Sequence, residues 1–263
     1  MIRALYSAAT GLNAQEVNID VISNNLANVN TVGYKKSRAD FQDLIYQYLV
    51  EPGAPTSATT NTPSGIQVGL GVKTAAVQKV FGQGDLTSTN NPLDVAIEGE
   101  GFFKVTLPGS GTIAYTRAGN FQLNDQGQLV TTDGYALDPA ITIDPNAVSI
   151  KIAEDGTVGF RISGSPDLQT AGTITGSRFA NNSGLRAIGK NLYEQSTSSG
   201  NPTEGTFGQN GLGRLNAGFL ESSNVSVVEQ VVNMITAQRA YEASSKGITT
   251  ADEMLSQAIN LKR

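Results

Sequence analysis

The chain has 263 residues, 39% hydrophobic and only 16% charged, with 29 glycines, no tryptophan and a net charge of −5. That length suffices for one large or two ordinary domains with a real core, and the acidic balance argues against nucleic acid or an anionic membrane as the main partner. Cysteine and histidine are both absent, which excludes disulfides and thiolate metal sites and removes the commonest general base and metal ligand together.

The first pattern along the chain is helical. Leu5, Ala8, Leu12, Gln15, Ile19, Ile22, Leu26 and Val29 follow one another at alternating steps of three and four. Such spacing places them in one stripe along a helix expected over 2–29, roughly 40 Å long at 1.5 Å per residue. Off the stripe, Asn13, Asn18, Asn24, Asn25 and Asn28 outnumber the charged Arg3, Glu16 and Asp20. Uncharged amides can bond neighbouring helices at close quarters without burying charge, so packed neighbours are expected on more than one side. No run reaches the ~20 apolar residues of a membrane span, and the start lacks the basic and apolar regions of a cleaved secretion signal.

Thr31-Val32-Gly33-Tyr34 reads as the exit turn, with Gly33 free to take a positive φ. Lys35, Lys36 and Arg38 form a short basic cluster expected as a solvated or interface patch, too short for nucleic-acid binding. The stretch 46–63, with Tyr46, Tyr48, Pro52, Pro55 and Pro63, passes into Pro, Gly, Ser, Thr and Asn and reads as an extended loop. Alternation resumes at Ile66, Val68, Leu70 and Val72 and again through Ile97, Phe103 and Val105. Turns at Asp125-Gln126-Gly127, Asp133-Gly134 and Asp155-Gly156 separate further short strands, the pattern of an antiparallel barrel or sandwich.

Ser223 or Asn224 can cap a last helix expected from Val225 to near Lys262. Its stripe, Met234, Ala237, Tyr241, Ser244, Ile248, Ala251, Leu255 and Ala258, repeats the three-and-four alternation of the first. Two comparable stripes at the two ends are expected to pair. The expected fold is therefore α+β: N- and C-terminal helices paired as a coiled coil, carrying a mainly antiparallel β domain inserted between them. The expected division is 1–30 plus 225–263 as the helical domain, 31–66 plus 215–224 as a connecting segment, and 67–214 as a β-rich outer domain. Leu5, Leu12, Ile19, Ile22, Leu26 and Val29, with Met234, Tyr241, Ile248 and Leu255, form the expected assembly seam.

Catalytic chemistry finds little support. Asp94, Glu98 and Glu100 are the one acidic cluster that could supply paired carboxylates for glycoside hydrolysis, but an exposed strand edge explains them as well. The Asp-Gly pairs lack a calcium loop's spacing, and the Gly-x-Gly tripeptides lack a third glycine or a following Lys-Ser/Thr. No metal, cofactor or catalytic residue is expected.

Four blocks carry a resemblance. Ser23-Asn24-Asn25-Leu26-Ala27-Asn28-Val29-Asn30-Thr31-Val32-Gly33-Tyr34-Lys35 resembles the N-terminal signature of bacterial flagellar rod and hook proteins, with Val32 where the family usually has proline. Asn91 to Phe103 and Tyr115-Thr116-Arg117-Ala118-Gly119-Asn120-Phe121 are similar to two internal blocks of that family. Leu220-Glu221-Ser222-Ser223-Asn224-Val225, followed by Gln238-Arg239-Ala240-Tyr241-Glu242, resembles its C-terminal signature.

Chain length and the segment 46–63 fit the distal-rod branch best, although FlgF and the hook protein share the signatures. The resemblance implies a structural subunit of a rigid hollow helical tube that transmits torque and conducts later subunits. It implies self-association and contacts with proximal rod proteins, hook protein and the surrounding P- and L-ring bushing. It also implies a place in the basal-body rod across the periplasm, reached through the flagellar type III export apparatus without a cleaved signal. A rod-borne cell-wall hydrolase using Glu98 and Glu100 is the competing class.

Overall fold

The computed structural model of the chain describes residues 2–53, 62–109, 111–162 and 167–260. The chain divides into two units, one of Met1–Ala27, Ser37–Lys79 and Ser226–Arg263, the other of Asn28–Lys36 and Val80–Val225.

The first unit holds both long helices, α1 (Ile2–Ala27) and α2 (Val227–Asn260), with four strands: β1 (Ser37–Asp43), β2 (Tyr46–Val50), β3 (Ile66–Gly69) and β4 (Val72–Lys79). The helices run antiparallel, since Ala8, Gly11 and Asn25 meet Gly247, Ser244 and Gln230 in turn. Small residues let them close where Ala8 and Gly11 meet Gly247 and Ser244, and Ala14 and Ile22 on α1, with Ala237 and Ala251 on α2, are buried apolar positions. Leu5, Leu12, Ile19, Leu26, Met234, Ile248 and Leu255 are half-buried, whereas Tyr241 is exposed.

Two helix ends differ from expectation. α1 stops at Ala27, so Val29 lies in a turn, where the Thr31 N–H donates to the Asn28 carbonyl at 3.2 Å. The Asn28 Oδ1 accepts from Thr31 Oγ1, also at 3.2 Å, within this turn. At the start of α2 the cap is Ser226, whose Oγ accepts from the Glu229 N–H at 3.5 Å, and not Ser223 or Asn224.

β1 pairs antiparallel with β4, and β2 with β3. Tyr46–Val50 is thus a strand, not loop. Two tyrosines and a valine in alternation suit a pleated surface once a partner lies beside them, and the prolines begin only at Pro52. The Gly53 N–H donates to the Thr62 carbonyl at 2.9 Å, which carries the hairpin past Pro52 to Pro63. Pro55 lies outside the described residues.

The second unit is β-rich, and every described strand pair in it is antiparallel. Its largest sheet is an open path through Arg186–Gly189, Leu192–Glu194, Ile113–Thr116, Phe102–Thr106, Ala136–Leu137, Leu129–Val130 and Gln122–Leu123. Thr175–Arg178 also pairs with Phe102–Thr106 and links Thr203–Thr206 to the sheet. Val95–Glu98 pairs with Arg214–Ala217, and Leu86–Ser88 with Phe219–Glu221, so residues near the C-terminal end complete two small sheets.

Val95, Ile97, Phe103, Phe121, Phe207 and Leu215 anchor the main core. Phe102, Tyr115, Phe179 and Tyr193 form a second cluster of edge-to-face rings. The three Asp-Gly segments sit in turns, as expected. Glu100 does not share a strand face with Glu98: the strand ends at Glu98, and Gly99 and Gly101, at φ 108 and 138, turn the chain away.

Candidate assembly site

In the helical unit, apolar side chains point to solvent in groups. Val228 is 75% exposed, and Val231, Val232 and Ile235 share its face over the first two turns of α2. On the hairpin, Ile45 is 78% exposed, and Tyr46, Tyr48, Leu49 and Ile66 are exposed with it. Single exposed apolar residues are ordinary on a protein surface, but contiguous groups mark surfaces that bind. The amide-rich face of α1 is used within this unit at Asn25. The Asn25 Nδ2 donates to the Ser37 carbonyl at 2.8 Å, and its Oδ1 accepts from the Ser37 N–H at 2.8 Å. The same Nδ2 lies 3.4 Å from Gln230 Oε1 on α2.

In the β unit the most unusual feature is a buried charge cluster. Lys35 Nζ donates to Glu221 Oε1 at 2.6 Å, and neither side chain is exposed. Arg117 Nη1 lies 3.4 Å from Glu221 Oε2, and Nη2 donates to the Gly99 carbonyl at 2.8 Å. Lys35 also donates to the Gly82 carbonyl at 2.7 Å, and the Gly84 N–H to Glu221 Oε1 at 3.0 Å. Burial pulls the pKa of both cations below the ordinary value, and the Glu221 carboxylate works against that shift.

Backbone geometry ties the neighbouring segments to this cluster. Gly33 has a φ of 68, its N–H donates to the Glu221 carbonyl at 2.8 Å, and a Cβ there would sit 2.6 Å from the Ala118 nitrogen. Only glycine fits. Asn224 accepts from the Lys36 N–H at 2.7 Å and donates to the Val80 and Gly82 carbonyls at 2.9 and 3.0 Å. Asn191 donates to the Val32 carbonyl at 3.1 Å.

The signature residues therefore scatter. Gly33, Tyr34 and Asn224 belong to the β unit's interior bonding, Asn28 and Thr31 to the turn after α1, and Asn25 to the helical unit. Asn24, Ala27, Gln238, Arg239 and Tyr241 are exposed, with Arg239 3.6 Å from Glu242. Glu98 accepts from Asn216 Nδ2 at 3.0 Å, Glu100 from Arg178 Nε at 2.6 Å, and Asp94 from Asn91 Nδ2 at 3.1 Å, so the acidic cluster is distributed among separate partners. Lys35, Arg117 and Glu221 were not picked out from sequence. Lys35 sits in a basic run that reads as surface, and the available signal was that each of the three falls inside one of the resembling blocks.

Residues 5–35 match the family described as "Flagella basal body rod protein", residues 96–160 "Flagellar hook protein FlgE/F/G D1 domain", and residues 216–261 "Flagellar basal body rod FlgEFG protein C-terminal". The flagellar basal-body rod protein FlgG of Buchnera aphidicola subsp. Schizaphis graminum is 49% identical over 99% of this chain and 100% of its own length. FlgG of Borreliella burgdorferi is 50% identical over the whole of both chains.

The chain belongs to the FlgG family of flagellar basal-body rod proteins.

The flagellar hook protein FlgE of Helicobacter mustelae is 40% identical, but over 59% of this chain and 34% of its own. Full-length agreement thus separates the FlgG assignment from the hook protein. Among solved structures, Helicobacter pylori FlgE2 covers 71% of this chain and 43% of its own at 16% identity and a TM-score of 0.25, too low to bear on the fold. Each of the three matched FlgG-family regions contributes one member of the buried cluster: Lys35, Arg117 and Glu221.

Proposed function

We propose that this FlgG-family chain is the structural subunit of the distal rod and polymerises through its terminal helices into a rigid hollow tube that carries torque and conducts exported subunits. In this reading α1 and α2 pair as a coiled coil within the tube. The observation that carries it is the apolar face of Val228, Val231, Val232 and Ile235, exposed in the single chain. Copies of the same chain supply the cover, and proximal rod proteins, hook protein and the P- and L-ring bushing meet the polymer at its ends and sides. Delivery runs through the flagellar type III apparatus without a cleaved signal, to a rod crossing the periplasm. The role is mechanical, with no catalytic step.

Val228→Asp and Val232→Asp test it. Both side chains are exposed in the subunit, so folding should be unchanged. In a polymer each change would bury an unpaired carboxylate, at a cost of several kcal/mol per contact. The expected result is a subunit with wild-type circular dichroism that forms no rods by electron microscopy. Rods of normal length from either variant would refute the assignment of this face.

A further inference from the structure

The Lys35–Arg117–Glu221 cluster of the β unit contains an imbalance of buried charge. Lys35 and Arg117 are two buried cations, and one buried carboxylate, Glu221, is bonded to both. The other acid close enough to favour the charged form of Arg117 is Glu100, which is exposed and bonded to Arg178. The three members come from far apart in the chain, and the anion comes last. The backbone around it is equally engaged: the Glu221 carbonyl accepts from Gly33, the N–H of the next residue, Ser222, donates to the Asp85 carbonyl at 2.8 Å, and Phe219–Glu221 pairs with Leu86–Ser88.

We infer that Glu221 is a completion lock for the β unit, which closes around its core only when this late carboxylate has joined the two earlier cations. A chain that ends short of it, or that carries no charge there, would have to bury both cations without the Glu221 carboxylate, and that penalty holds it open. The two cations differ in how strictly they enforce this. A lysine can shed its proton when buried, whereas an arginine cannot, so Arg117 is the strict partner. The consequence is that an incomplete chain does not fold its β unit, although the main core's residues from Val95 to Ile174 lie well before residue 221 and its last strand, Arg214–Ala217, also precedes it. The inference stands on the β unit alone and is independent of how copies of the chain associate.

Two measurements on the full-length chain test it. The first is thermal unfolding of E221Q, R117M and R117M/E221Q. E221Q keeps the backbone and the shape, and it should lower the midpoint by roughly 10 °C. R117M, which leaves the Lys35–Glu221 pair intact, should cost less. R117M/E221Q should recover at least half of the E221Q loss, because the cation that cannot neutralise itself has gone. A purely packing role predicts the reverse, a double variant less stable than either single one, and that order would overturn the inference.

The second measurement is pulsed amide exchange during refolding. The amides of Leu129 and Ile143, which bond to the Ile141 and Gly127 carbonyls, report on the core, and the Gly33 amide reports on docking of Glu221. All three should gain protection in one phase. Core amides protected in an earlier phase, while Gly33 still exchanges, would equally overturn it.

Discussion

Tyr193 shows at the scale of one residue how this fold couples to pH. It packs among Phe81 and Phe102 at ring distances of 5.3 and 6.0 Å, and burial first, then Tyr34, pushes its pKa far above the ordinary value. A phenol whose folded pKa is raised contributes stability that is fully present below about pH 10 and is lost as the pH rises toward the folded value. Above that point the unfolded chain releases the proton and the folded one does not. Lys35, lowered by burial, has the opposite slope, but only below 10.5, its ordinary value. Above that pH the stability of the β unit should therefore fall by about 1.4 kcal/mol per pH unit for each such tyrosine. Tyr115, also raised by burial, adds to the same fall. Urea titrations at stepped pH should show that slope, and Y193F should reduce it; an unchanged slope in Y193F would mean that Tyr193 does not carry it.

Among the elements, the β2–β3 hairpin invites a mechanical test. Its strands pair with each other, yet Ile45, Tyr46, Tyr48, Leu49 and Ile66 remain exposed, so the unit that holds the hairpin leaves its apolar surface uncovered. Ordering a chain costs about 1–2 kcal/mol per fixed residue, and contacts with neighbouring copies would offset that cost in a polymer. Such contacts would brace adjacent rows of subunits against sliding, and the segment 46–63 is accordingly proposed to stiffen the rod. Removing residues 46–63, and with them Tyr46, Tyr48 and Leu49, should leave the β unit folded and assembly intact. The polymer should become bendable, read as a fall in persistence length by electron microscopy. A rod as straight as the parent would sink the proposal.

At the scale of the molecule, the two units differ in how much they bury. α2 has 34 residues, of which only Gln230, Ala237 and Ala251 are buried, whereas the β unit holds a contiguous apolar core. An isolated helix pair with so little covered surface is marginal in water. In a verified monomer, amides of α2 beyond Tyr241 should exchange at least roughly 100-fold faster than those of Val95 to Ile97. Comparable protection in both places would show that α2 is stable without neighbours.

Local pattern determined what the chain is made of: two long terminal helices, short antiparallel strands between Asp-Gly turns, and a family membership carried by blocks at both ends and in the middle. Periodicity and turn chemistry are local properties, legible wherever side-chain spacing repeats. The strand Tyr46–Val50 was not legible as such, because a five-residue run beside prolines reads as loop until its partner, Ile66–Gly69, lies next to it. The Ser226 cap was obscured by Ser223 and Asn224, which satisfy the same local rule; tertiary bonds to Lys36, Val80 and Gly82 engage Asn224 elsewhere. Most of all, nothing in a Lys-Lys-x-Arg run predicts that Lys35 is fully buried. A charged side chain is stable inside only opposite a counter-charge, and only the tertiary structure brings Glu221 within 2.6 Å of it across 186 residues of chain.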